Sequence, residues 1–255
     1  MRKIFTAVFV ILFGVVLLIG ISDSISLTEY DNKLKTGSSG SRYVAKNVNA
    51  DYKTESIIRP DEVEFGIAEN AETGSANMVT SIVVNYRSFD TLGEVTVLFL
   101  AAFGVSIFMG SEGKKKKLSK NGFILKTAAH IIFPIMLITG VYIFTHGHLT
   151  PGGGFPGGSM IASSFLLLYM ADNKFALNLN RFKIAEGAAG TIYVLLGATG
   201  LLVGGYFLLN FLPTGTVGNL FSAGIVPIVY VLIGLKVGSE MTGVISDMMK
   251  DEVSL

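Results

Sequence analysis

Cysteine is absent from the 255 residues of this chain. That excludes disulfides, thiolate-held zinc and cysteine-ligated iron–sulfur clusters, so any redox chemistry associated with the chain belongs to a partner. Tryptophan is absent as well, which leaves tyrosine, helped by phenylalanine, to form any aromatic belt at a membrane surface. Charge is scarce: 15% of residues are charged and the formal net charge is +1. Such a balance gives no basis for nucleic-acid binding. Amphipathic striping is also missing, because the apolar residues, half of the chain, come in uninterrupted runs.

Those runs decide the class. A helix needs roughly 20 apolar residues to cross the hydrocarbon core. The sequence offers Ile4–Ile21, Thr91–Gly110, Phe123–Phe144, Phe155–Ala171, Ile184–Leu209 and Leu220–Ile245. The expected fold is all-α, a polytopic membrane protein with about six spans and an extended outer segment. The first run follows Arg2 and Lys3, as a signal peptide would. It is longer than the apolar core of about 7–15 residues of such a peptide and is followed by no small-x-small site, so a retained helix is expected.

The chain divides into a first membrane helix (1–21), a polar outer segment (22–76), a segment with one span (77–110), a basic loop (111–122) and a four-span domain (123–246). Within the second span's segment, Met78–Tyr86 is apolar but too short to cross, which suits an interfacial or half-inserted helix. Lys114–Lys117 and Lys120 occupy one short loop, and Lys174, Arg181 and Lys183 another. The positive-inside rule puts both loops and both termini in the cytoplasm. The loops at His146–Pro151 and Asn210–Gly218, which carry no Lys or Arg, then fall outside, as does 22–76.

Ionisable residues inside spans cost about 2.5–3.5 kcal/mol each near the centre on insertion scales. Lys236 and Glu240, four apart, share a helix face and can pair. They form either an ion pair that fixes helix orientation or a site on a proton or sodium path. Glu94 sits about a turn inside the second span. Asp90 or Thr91 could cap that helix, but a cap does not account for a carboxylate deeper in. Glu186 lies near an inner end and reads as interfacial. His130 precedes Pro134 by four residues; the proline withholds the amide hydrogen that the His130 carbonyl would accept, so the site suits either hydration and ion passage or a bond to a neighbouring helix. Gly190, Gly197, Gly200 and Gly204, together with Gly234 and Gly238, mark close helix contacts.

The densest local signal is Thr145–Gly158. Its residues His148, Pro151, Gly152, Gly153, Gly154, Gly157 and Gly158 are expected to form a structural loop between two spans. It lacks the Gly-Lys-Ser/Thr ending of a phosphate loop, and two histidines without further ligands make no expected metal site.

At these residues the chain resembles the B subunit of Mrp-type multisubunit sodium/proton antiporters. The signature is Gly147-His148, Pro151-Gly152-Gly153-Gly154-Phe155 and Gly157-Gly158 opening a membrane helix, and the likeness runs from about Lys120 to Ile245. Asn85–Glu94 is similar to the end of the large A subunit, over about Asn77 to Met109. Related modules occur in archaeal membrane-bound hydrogenase and sulfane sulfur reductase complexes, where the end of A is a separate small subunit. Gly234-Leu235-Lys236-Val237-Gly238 leans towards those respiratory relatives.

Leu149 stands where the antiporters commonly have asparagine, and Pro156 where an aliphatic residue is usual. The resemblance implies a non-catalytic membrane subunit of a sodium-translocating module, with Na+ as transported ion and no cofactor bound by this chain. Its implied partners are the other Mrp-like subunits (A-, C-, D-, E-, F- and G-like), membrane lipid and a hydrogenase-like or sulfur-reductase arm. Glu94 is the residue it carries over most directly; Asp90, Lys236, Glu240 and His130 complete the ion-path candidates. A stand-alone Mrp antiporter subunit and a purely structural scaffold are the competing readings.

Overall fold

The structure, a computed structural model, describes residues 71–109, 122–172, 175 and 177–249, together with residue 15. Its elements are α1 (Met78–Thr80), continued by a π-helical turn (Ser81–Tyr86), then α2 (Ser88–Met109), α3 (Phe123–Thr145), α4 (Gly154–Ala171), α5 (Leu179–Gly204) and α6 (Val226–Met248). The five long helices, 18 to 26 residues each, are long and apolar enough to cross a membrane. The expected span Ile4–Ile21, residues 22–70 of the outer segment and the Lys114–Lys117 loop lie outside the described residues.

Local chemistry sets the helix ends. Pro227 sits in the first turn of α6, where its missing amide hydrogen is not needed. Gly205 ends α5 in the left-handed conformation (φ 79°), its N–H donating to the Leu201 carbonyl, as helix-ending glycines do. This shifts the fifth span from the expected 184–209 to 179–204. Beyond Gly205 the chain folds back, and Leu208 N–H donates to the Gly197 carbonyl at 3.1 Å.

Helix α6 is the hub, packing against each of the other four long helices and burying both faces over much of its length. It can approach α4 closely because of the residues at the contact. A Cβ on Gly158 would lie 2.8 Å from the Gly234 carbonyl oxygen and 2.9 Å from Gly238 N, and one on Gly154 would strike Ile233. On the other side of α4, a Cβ on Gly157 would lie 2.8 Å from the Gly140 carbonyl of α3. Small residues of this kind let membrane helices touch backbone to backbone.

Two expectations are corrected here. The glycine-rich loop was expected to extend to Gly158, but α4 already begins at Gly154, so Gly154, Gly157 and Gly158 are helix-packing residues. The α5 glycines were expected to meet other helices. Gly190 does, lying beside the Lys236 stem of α6, but Gly197 receives the Phe207 ring, Gly200 the Leu209 amide and Gly204 the Leu209 side chain of the fold-back.

Gly158→Ala is therefore expected to force α4 and α6 apart, at a cost of about 1–3 kcal/mol. A lower unfolding midpoint of the purified protein would show it. Gly187→Ala, whose Cβ would meet nothing within 4 Å, is the control and should leave the midpoint unchanged or slightly raised, since alanine favours helix.

Candidate functional site

The spacing of α6 puts Lys236, Glu240, Gly243 and Asp247 on one face, at intervals of four, three and four residues. Lys236 Nζ donates to Glu240 Oε2 at 2.9 Å. Lys236 is 9% exposed and Glu240 3%, so the pair faces protein and not lipid. The Lys236 stem passes Gly190 of α5, and its ammonium lies 5.2 Å from the centroid of the Phe99 ring on α2, within cation–π range. Two charges are thus held where α2, α5 and α6 meet, each neutralised by the other. A buried carboxylate beside a lysine can exchange a proton or bind a cation when its partner swings away, which is the chemistry an ion path needs.

The other candidates lie elsewhere. Glu94 is exposed on α2, five residues from Phe99 and so about 7.5 Å further along the helix axis. Buried Tyr193 of α5 lies within electrostatic reach of it, and the Tyr193 hydroxyl donates to the Ser88 carbonyl at 3.4 Å. Asp90 lies in the first turn of α2 and forms an ion pair with Arg87. The expected cap at Asp90 or Thr91 is corrected accordingly, because the helix starts earlier, at Ser88, and Thr91 Oγ1 donates instead to the Val83 carbonyl at 2.6 Å. His130, on α3, meets a different set of residues. Its Nε2 lies 3.6 Å from Asp172 Oδ2 at the end of α4, and Lys126 Nζ reaches the same oxygen at 2.9 Å. His130 Nδ1 is hydrogen-bonded within its own helix, to the Lys126 carbonyl at 2.8 Å.

The outer loop is held from above by the chain before α2. Asn77 Nδ2 donates to the Gly147 and Thr150 carbonyls at 2.9 and 3.0 Å, and its Oδ1 caps α1. Ser75 Oγ donates to the His148 carbonyl at 2.7 Å. Thr80 Oγ1 donates to the Gly147 carbonyl and shares a hydrogen bond with the Tyr230 hydroxyl. His148 is fully buried. The backbones of Asn219 and Leu220 lie near its ring and favour the proton, but burial outweighs them and holds its pKa below the usual histidine value, so the ring is neutral at pH 7. Neither ring nitrogen reaches hydrogen-bond geometry with a described residue. Among the described residues no three His, Cys, Asp or Glu gather as a metal site.

Residues 124–243 match the family described as the domain related to the MnhB subunit of Na+/H+ antiporters. The chain is 40% identical over 101 residues to the B subunit of the Na+/H+ antiporter of Alkalihalophilus pseudofirmus, covering 38% of this chain and 69% of that one. It belongs to the MnhB family. Residues 54–110 of this MnhB-family chain also match the MbhE family, the E subunit of MBH, so that likeness reaches back into the outer segment beyond Asn77. An uncharacterized protein of Methanocaldococcus jannaschii is 32% identical over 195 residues, covering 63% of this chain and 72% of that protein. A chain in the structure of the membrane-bound sulfane sulfur reductase, an archaeal respiratory membrane complex, is 38% identical with a TM-score of 0.72. That alignment covers 99% of the MnhB-family chain and 100% of the other. With five apolar helices of spanning length, the chain is a multi-pass membrane protein.

Proposed function

We propose that this chain is a membrane subunit of the cation-translocating module of a respiratory complex of the sulfane sulfur reductase or membrane-bound hydrogenase type. The observation that carries the reading is the end-to-end likeness to a chain of the reductase complex, at 38% identity over all of that chain. The joining of an MbhE-like segment to an MnhB domain supports it. Five helices with a paired lysine and glutamate between them make a part of an ion pump, and electron transfer belongs to partner subunits. The chain contributes ionisable groups and helix surfaces; it catalyses nothing itself. The transported ion is Na+, and Lys236, Glu240, Glu94 and Asp90 line its path. The similarity to the B subunit of an antiporter favours one alternative, a subunit of a stand-alone Mrp-type antiporter.

Affinity purification of the tagged chain in mild detergent separates the two. Co-purifying iron–sulfur subunits, with sodium uptake into inverted vesicles driven by electron transfer, are the expected result. Recovery of Mrp-like subunits alone, with uptake driven only by a proton gradient, would move the chain to the antiporters.

A further inference from the structure

A cavity of about 410 Å³ opens between α2, α5 and α6, towards the end of the bundle that carries Lys183. By the positive-inside rule this is the cytoplasmic end. Its wall includes Ser106, Glu186, Ser239, Glu240 and Asp247. Glu240 is one of the residues of this wall: its Oε2 is taken by Lys236, whereas its Oε1 is closed off from solvent and has no hydrogen-bond partner among the described residues. A buried carboxylate oxygen left without a donor is costly, and a solvent molecule or cation arriving from the cavity would remove that cost. The space accommodates on the order of ten waters. Among the described residues that line or adjoin it, the carboxylates are Glu186, Glu240 and Asp247 and the ammonium groups Lys183 and Lys236, and carboxylates of this kind favour cations. Carboxylate and hydroxyl oxygens are the ligands a hard cation prefers, and Asp247 is oriented by a hydrogen bond from the Ser106 hydroxyl.

We propose that this cavity is a cytoplasmic vestibule through which a hydrated monovalent cation reaches Oε1 of Glu240. The inference rests on the reading of the chain as part of a cation-translocating module and adds to it the entrance, with Glu186 and Asp247 as the residues that attract the ion. Sodium and hydronium share the oxygen chemistry of such a site, and the test separates them.

Two glycines in the wall provide that test. A Cβ on Gly187 or Gly243 would meet nothing within 4 Å, so a leucine at either position enters the void without pressing on a backbone. It also replaces a poor helix former by a good one. The purified complex carrying Gly187→Leu or Gly243→Leu is reconstituted into vesicles, and radioactive sodium uptake and proton movement are both recorded. Loss of sodium uptake assigns the vestibule to sodium, and loss of proton movement alone assigns it to hydronium. Retention of both in both variants overturns the proposal.

A second measurement is independent of turnover. The chain has no cysteine, so Gly243→Cys creates a single thiol. In inverted vesicles, where the cytoplasmic side faces the medium, a membrane-impermeant cationic methanethiosulfonate is expected to modify it, read as a mass shift on this chain, and sodium is expected to slow the reaction. A thiol that stays unmodified shows the cavity closed to water and overturns the vestibule. A wild-type complex that moves no cation would instead sink the functional reading, with the thiol still reporting on the cavity.

Discussion

Lys236→Ala is expected to be among the most damaging single substitutions in the described part of the chain. Its ammonium is the only hydrogen-bond donor to the Glu240 carboxylate among the described residues, and Glu240 is 3% exposed. Deleting the lysine leaves a buried carboxylate with neither oxygen paired, a loss of about 3–5 kcal/mol in soluble proteins. The cation–π contact with Phe99 is lost with it. Removing both charges leaves no orphan, so Lys236→Ala combined with Glu240→Ala should be better tolerated than Lys236→Ala alone. The unfolding midpoint and the assembled fraction of the purified complex measure this. Double-mutant effects that simply add would show that the two groups are not coupled.

The same pair shows what the sequence makes legible. Residues four apart in an apolar run share a helix face, so the contact could be anticipated from spacing alone. The neighbours that give the pair its setting could not be. Gly190 and Phe99 come from helices 46 and 137 residues away from Lys236, and nothing local says which helices meet there. Asp247 was within reach, because it continues the 236–240–243 face by one more turn. Glu186 reads as interfacial from its place near an inner helix end, and only the packing of α5 on α6 puts it in a cavity wall with Glu240.

Glycine patterns were similarly ambiguous. Gly190, Gly234 and Gly238 do meet other helices, but Gly197, Gly200 and Gly204 of α5 accommodate the fold-back after Gly205. A small residue reports a close approach without naming what approaches. The clamp on the outer loop was invisible for another reason. Ser75, Asn77 and Thr80 look like ordinary polar residues at the end of a linker, yet they supply donors to the carbonyls of a glycine-rich turn roughly 70 residues away. Backbone carbonyls in such a turn need donors from elsewhere in the chain when the turn's own groups do not reach them.

Glu94→Gln is expected to leave assembly intact and to slow sodium transport by about ten-fold, equivalent to about 1.4 kcal/mol on the barrier. The residue sits on an exposed side of α2, and Val97, three residues on and on the same face, is exposed as well. A carboxylate presented to lipid inside the span is costly, though less so than the roughly 2.5–3.5 kcal/mol of a residue at the bilayer centre. A partner subunit or a watered path covering this face removes the cost, and a cation path makes use of the charge. Asp90 is held by Arg87, so in this chain Glu94 is the carboxylate left to serve the outer half of such a path. Sodium, as a hard cation, is suited to its oxygens. Glutamine keeps the length and one acceptor oxygen while deleting the charge, so packing against a partner should survive. Sodium uptake by vesicles holding the assembled variant, driven by the native electron-transfer reaction, is the measurement. Wild-type uptake would remove Glu94 from the path and leave it an interface residue. Loss of assembly would show that its charge is needed by a cationic group on the partner. Slowed uptake with normal assembly, together with a block at Gly187 or Gly243, would place the outer and inner ends of one route on α2 and α6, with Lys236 and Glu240 between them.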